Sequence, residues 1–479
     1  MSGRRGVVLA IGILLTAMAG CASSLGRYES RAQRIAHGRL GSRPTIAGSA
    51  EISGTSEALA PEVRRLLAGP LSSDDVVRIA LANNRDLVAA FGELGVSRAA
   101  LLAAAVPSGP ALEEAAVRFA TDGHGDPAFE LGVMQDLTDL VLLPAARAAA
   151  DAEAEAATLS AARAALDVAF DARRAYVAYV ASEQDLARAR EVLEGAEAAA
   201  LAARALHEAG NVPAVDAQTE EAFAEDVRAS MWRARDAVLV ARERLNVLMG
   251  LTGRATRWTS PTSLGGPPGD AQDRARTAHL PHRAVDRSLD LAVSRLRILA
   301  AARRLRLRRA ETLVPEIAVG VSVAREDEHW SVGPALSLEL PFFGPRTGEW
   351  ASARAELARL RAGHVALGVR VESAARATSA RLAGTRERAV HARDVLVPLR
   401  RAIVGERLRE YNAMQIGVFA LLDAQRAYVE AERRATAELR DYWLARVDLE
   451  QLAAGRLPDE AGAASGVESA GEGPARGGH

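Results

Sequence analysis

Ile317-Ala318-Val319-Gly320-Val321-Ser322-Val323-Ala324 alternates branched apolar residues with small ones. Ser331-Val332-Gly333-Pro334-Ala335-Leu336-Ser337-Leu338-Glu339-Leu340 repeats that alternation shortly afterwards. Two earlier segments share the pattern. Phe129, Leu131 and Val133 oppose Glu130, Gly132 and Met134, while Ala115, Val117 and Phe119 oppose Glu114, Ala116 and Arg118. Period two predicts four strands with one apolar face and one small or polar face. A membrane barrel wall around a wet lumen has this pattern, and so does an ordinary half-buried sheet. Four strands cannot close a bilayer-spanning barrel, because open edges are untenable in lipid. In a membrane, subunits would have to pool their strands.

Each strand pair leads into a long helical stretch, from Ala145 to about Glu208 and from about Gly348 to Tyr411. These read as two uninterrupted helices. About 60 residues at 1.5 Å each extend roughly 90 Å. Arg and Glu interleave with Ala and Leu, as in coiled coils with apolar seams and wet charged faces. Each stretch turns at a glycine-containing tip (Ala209-Gly210-Asn211; Met414-Gln415-Ile416-Gly417) and returns. Aligning Gly210 with Gly417 gives a shift of 417 − 210 = 207, which also superposes Asp216 on Asp423 and Gln218 on Gln425. The returning helices close at Gly250 and Gly455. A period this long means a duplicated domain and not a solenoid. The join spans Thr252 to Ala278, with Gly265-Gly266-Pro267-Pro268-Gly269 as a loop signal.

The 479 residues carry 60 basic and 61 acidic side chains, for a net charge of -1. Every basic residue is arginine. This balance argues against nucleic-acid binding. Hydrophobic residues make up 49 % but aromatics only 4 %, so alanine supplies much of the apolar content and favours long, closely packed helices. The one cysteine excludes disulfide frameworks and multi-Cys metal sites. Arg4 and Arg5 precede an apolar run from Val7 to Ala19, and Gly20-Cys21 follows. That describes an export signal, too short to span a bilayer. Met18-Ala19-Gly20-Cys21 resembles a bacterial lipoprotein cleavage box, which implies lipid on Cys21 as the mature N-terminus. Ala22 stands where an inner-membrane retention signal would usually place Asp, so the expected address is the outer membrane. The expected organisation is a signal at 1–20, a lipidated tether at 21–73, a first repeat at 74–251, a linker at 252–278, a second repeat at 279–455 and a disordered tail at 456–479.

Together these features resemble the TolC-like outer membrane factor family, of lipoprotein type. The closest match is Gly333 to Phe343, ending Leu340-Pro341-Phe342-Phe343, followed by Gly344-Pro345-Arg346-Thr347-Gly348-Glu349. Family members leave the barrel through such a proline–hydrophobic–phenylalanine step and a small or basic turn. Tyr411, Gly417, Leu421-Leu422-Asp423-Ala424-Gln425 and Asp441-Tyr442-Trp443-Leu444-Ala445-Arg446 match the second hairpin; Ala209-Gly210-Asn211 and Gly250-Leu251 match the first. The resemblance covers roughly residues 70–456. Gln135-Asp136-Leu137-Thr138-Asp139 departs from the usual first junction, and the strands are poor in interfacial Tyr and Trp.

The resemblance implies a mainly α protein with a small β membrane part. Three chains would form a twelve-stranded β-barrel and a long periplasmic α-helical barrel. The homotrimer would dock on a periplasmic adaptor and an inner-membrane pump of RND or ABC type. It would conduct passively in efflux or type I secretion, gated at the hairpin tips. Gly210, Asn211 and Gly417 would lie at the adaptor contact.

Asp216 and Asp423, just past the tips, are candidates for acidic rings at a pore constriction; first-turn acids that stabilise a helix N-terminus give the same pattern. Arg409, Glu410 and Glu208 flank the tips and read as a solvated face. Neither a His-x-x-x-His pair nor a nucleophile elbow occurs, so no catalytic residue, no metal and no cofactor beyond the lipid is expected. The alternative is a lipid-anchored adaptor or coiled-coil scaffold that forms no pore.

Overall fold

The computed structural model describes residues 25–41, 46, 60–104, 106–118, 128–326, 329–339 and 346–458. Cys21 and the Pro341-Phe342-Phe343 step lie outside them. In chain order the elements are α1 (Leu25–Leu40), α2 (Pro61–Leu66), α3 (Ser73–Asn83), α4 (Arg85–Ala103), β1 (Ala111–Arg118), β2 (Ala128–Asp136), α5 (Thr138–Glu208) and α6 (Ala214–Met249). Then come α7 (Asp270–Thr277), α8 (Leu280–Arg287), α9 (Leu289–Leu313), β3 (Glu316–Glu326), β4 (His329–Glu339), α10 (Arg346–His391), a π turn (Ala392–Leu396), α11 (Val397–Asn412) and α12 (Val418–Ala454). None of the described helices is long and apolar enough to cross a membrane. The chain divides into two compact units. One comprises residues 1–34, 90–162 and 290–368; the other comprises 35–89, 163–289 and 369–479.

The first unit holds the sheet, antiparallel throughout in the order β1-β2-β3-β4. Two hairpins join through β2 and β3, paired from Phe129↔Arg325 to Asp136↔Ala318. The register puts Leu112, Val133 and Val321 in one row, and Val319·Leu336, Val323·Val332 and Ile317·Leu338 on the same face. That face is exposed: Leu336 is 72 % and Val332 69 % accessible. Across the sheet, Gly320, Ser322, Gly333, Ala335 and Ser337 are half-buried. A sheet packed on a soluble core turns its apolar face inward; this one does the reverse.

The unusual first junction is a helix cap that joins the repeats. The Asp136 carboxylate accepts from the Thr138 and Asp139 N–H groups (2.7 and 3.4 Å), satisfying donors that open α5. Thr138 Oγ1 donates to the Pro315 carbonyl (3.1 Å) and accepts from Ile317 N (2.8 Å). The turns into α5 and β3 are thereby locked together. Beyond it, buried Ala149, Ala152, Ala300 and Ala301 bring no bulk between the helices, and Arg304 reaches Glu153 across them (2.5 Å).

In the second unit both returning helices end in the same motif. Gly250 and Gly455 take left-handed φ (62° and 93°). Leu251 N donates to Asn246 O, and Arg456 N to Gln451 O (2.9 and 3.0 Å), the longer bond of a Schellman cap. The start of the repeat docks on each. Asn83 Nδ2 donates to the Met249 and Gly250 carbonyls (both 2.8 Å), and Leu289 N donates to Gly455 O (2.8 Å).

Three boundaries differ from expectation. The stretch read as a tether contains α1 and α2. Among the described side chains of α1, Ala32 and Ala36 form the fully buried stripe, too thin to register as periodicity among Arg and Ser. The tail read as beginning at 456 starts with Arg456 bonded to Asp167 (2.5 Å). The second long stretch is helical throughout but not one α-helix: a π turn at Ala392–Leu396 separates α10 from α11, and Pro398, which brings no N–H to the helical ladder, follows it directly.

Candidate functional site

The tips and the seam between the two hairpins carry the polar groups of interest. At the first tip Gly210 is left-handed (φ 74°), Asn211 N donates to Leu206 O (2.9 Å), and Pro213 is the N-cap of α6. At the second, Gln415 N donates to Glu410 O (2.9 Å) and Gly417 is the N-cap of α12 at φ -77°. The left-handed residue there is Met414 (φ 58°), 94 % exposed. Gly417 therefore has no positive φ to supply. The tips superpose as Gly210 with Met414 and Pro213 with Gly417, a shift of 417 − 213 = 204. The 207 alignment fails because it matched glycines in different structural roles.

The corrected register separates the two aspartates. Asp216 lies in the first turn of α6, half-buried. Asp423 lies beyond the first turn of α12, mostly exposed, and pairs with Arg426 (3.1 Å). They are not equivalent positions, and a first-turn role fits only Asp216. Around the second tip, Arg409 pairs with Glu406 and Arg407 with Glu410 within their own helix.

Sequence reading missed the contacts that join the hairpins. Arg426 bonds Glu220, whose carboxylate is buried on α6, and stacks 3.9 Å from the Phe223 ring centroid. Further from the tips, α5 and α12 run antiparallel with complementary charges. Arg188 faces Glu432 (3.6 Å), Arg174 faces Asp448 (3.1 Å), Arg173 faces Glu450 (2.8 Å) and Asp167 faces Arg456. Tyr428 donates to Glu432 (2.5 Å) and accepts from Arg401 (2.9 Å). The signal was present as opposite charges whose residue numbers sum to nearly the same value, but it is visible only once the helices are known to be neighbours. Burial holds the Asp448, Asp167 and Asp185 carboxyls above the ordinary 3.8, although arginines oppose the shift. The Tyr179 phenol is pushed up to about 12 by burial and by Glu183.

The inter-repeat segment is pinned to the same helices. Arg242 lies 4.3 Å from the Trp258 ring centroid and donates to the Thr256 and Trp258 carbonyls. Trp258 Nε1 donates to Asn246 Oδ1 (2.8 Å).

A sheet with its apolar face outward, two copies of a strand–strand–hairpin repeat and paired hairpins define a protein of the TolC-like channel fold. Solved structures share it. A membrane protein from Pseudomonas aeruginosa is 20 % identical, with a TM-score of 0.65 over 82 % of this chain and 93 % of that one. The Campylobacter jejuni CmeC outer membrane channel is 14 % identical (TM-score 0.62; 83 % and 88 %). The Vibrio cholerae outer membrane protein VceC is 17 % identical (TM-score 0.62; 80 % and 96 %). At these identities the likeness is one of fold. No family model and no curated protein matches the sequence.

Proposed function

We propose that this chain is the outer membrane channel component of a tripartite efflux or type I secretion system, passively conducting substrates. The observation that carries this reading is the outward apolar face of the sheet, with Val319, Val321, Val332, Leu336 and Leu338 exposed. Water does not tolerate such a patch without cause, and lipid does. The unpaired outer edges of β1 and β4 require further strands to close a wall, which supports a homotrimer with a twelve-stranded barrel. Exposed Trp232, Leu239, Val240 and Val247 on α6, and Val395, Leu399 and Ile403 on the π turn and α11, supply apolar stripes for neighbouring copies.

In this reading the helical hairpins form the periplasmic barrel. Gly210, Asn211 and Gly417 meet an adaptor that couples to an RND or ABC pump. Opening at the tips breaks the Arg426–Glu220 contact, with Asp216 and Asp423 at the constriction. Lipid on Cys21 anchors each copy in the outer membrane, and Cys21→Ser should remove the acyl mass. The deciding experiment is single-channel recording from purified, membrane-extracted protein, with its mass measured in detergent. Trimers that pass ions support the reading. Monomers that leave a planar bilayer silent overturn it in favour of a lipid-anchored scaffold.

A further inference from the structure

The inter-repeat helix α7 lies along α10, and the two enclose a cavity of about 450 Å³. They run antiparallel. Asp273 meets Arg386 (2.8 Å), and a Cβ on the earlier Gly266 would stand 2.7 Å from Nη1 of the later Arg393. Between Ser379 and Glu387 the cavity follows α10 for roughly 12 Å, at 1.5 Å per residue.

Acceptors stand at both ends. At one, Thr277 and Ser379 spend their hydroxyl protons on the carbonyls of Asp273 (3.1 Å) and Ala375 (2.8 Å), which leaves lone pairs to accept. At the other are the carboxylates of Asp270 and Glu387, and Glu387 is exposed with no partner among the described residues. Leu382 and Ala383 lie between the ends. Midway is Asp273, its side chain only 6 % exposed. Its Oδ2 accepts from Arg386 and from the Tyr442 hydroxyl (both 2.8 Å). Its Oδ1 is buried without a hydrogen-bond partner. The Arg446 guanidinium, which also faces Glu450 (3.5 Å), stops 3.8 Å short of it. An unpaired carboxylate oxygen in a low-dielectric surrounding carries negative potential into the space beside it. Three carboxylates line the cavity against two guanidiniums, and Arg274 and Arg386 are already paired with Asp270 and Asp273. No group of acidic or histidine side chains among the described residues is gathered closely enough to hold a metal ion.

We propose that this cavity binds an aliphatic diamine. One ammonium is held by Glu387 and Asp270, and the other by the Thr277 and Ser379 hydroxyls in the field of Asp273. The methylenes lie on Leu382 and Ala383. An ammonium brings three donors and no acceptor, the complement of this lining. None of these residues belongs to the apolar stripes given to neighbouring copies, and the site does not depend on the channel reading.

Calorimetric titration of the full-length, membrane-extracted protein with cadaverine tests it. Saturable binding is expected, about tenfold tighter than for n-pentylamine, which forgoes the bonds of one ammonium. Glu387→Gln changes a surface carboxylate that holds nothing in the fold. It should weaken cadaverine about tenfold and leave the thermal midpoint of the ligand-free protein unchanged. Ser379→Ala should weaken cadaverine and leave n-pentylamine unaffected. Tetramethylammonium, which has the charge but no donor, should not bind. Absence of saturable binding, equal affinity for the two amines, a match by tetramethylammonium, or indifference to Glu387→Gln overturns the proposal. If cadaverine binds as expected to a protein that passes no ions, the channel reading falls and the site stands.

Discussion

Gly250 and Gly455 show how much one missing Cβ carries. Each is left-handed, and an added Cβ would stand 2.3 Å from Asn83 O or 2.1 Å from Arg287 O, backbone atoms that cannot swing aside. Gly250→Ala and Gly455→Ala should each cost about 2–4 kcal/mol, from left-handed strain plus displaced docking, read as a lowered thermal midpoint. The tips give the opposite expectation. Met414 bears the same backbone strain with its side chain in solvent, so Met414→Gly should stabilise by about 1 kcal/mol. Gly417→Ala, at φ -77°, should stay within about 0.5 kcal/mol. The buried carboxyls set a pH dependence. Because burial raises the Asp448 pKa, the folded chain takes up this proton before the unfolded chain does. Its contribution therefore favours folding at low pH and is withdrawn as pH rises from 3.8 through the raised value. Asp448→Asn should flatten that part of the stability profile, measured by denaturant titration as a function of pH.

At the level of elements, the α5–α12 seam is where charge acts through partial burial. Arg174 donates to Asp448, Gln451 and Asp171, with only a fifth of its side chain exposed. Arg174→Ala leaves the half-buried Asp448 facing Arg381 alone at 3.6 Å, and should cost about 2–3 kcal/mol. Arg409→Ala, in an exposed pair with Glu406, should change stability by no more than about 0.5 kcal/mol. A comparison of the two by denaturant midpoint checks the contrast. The elements themselves were legible in the sequence because their signals are local. Alternation from Ile317 to Val323 gave a strand, and the run past Ala145 gave a helix. Pro398 is equally local, but a single proline does not outweigh the strong helical pattern on both sides of it. What stayed hidden was relational. Glu220, Arg426 and the α5–α12 pairs look like ordinary solvated charges until two helices are side by side. The tip alignment failed because a glycine at a helix N-cap and a glycine at positive φ are the same letter.

For the whole molecule, the sheet asks what solvent the chain is built for. A face of branched apolar residues is open while its small and polar face is half-covered, so the surroundings must supply the hydrophobic medium that the chain's own core does not. Two media satisfy that need, lipid or another protein surface, and one pair of substitutions separates them. Leu336 and Ala335 are neighbours on β4 that point to opposite faces. If Leu336 meets hydrocarbon, Leu336→Arg costs up to about 2–4 kcal/mol for placing the guanidinium near the bilayer midplane, whereas an arginine at Ala335 reaches a wet interior. Leu336→Arg should then abolish assembly into membrane-extracted oligomers. Ala335→Arg should leave assembly intact and shift ion selectivity toward anions. Wild-type-like membrane assembly of Leu336→Arg would mean that this face does not touch lipid. Loss of assembly with both variants would mean that the two faces are packed in protein, and the barrel would have to be given up.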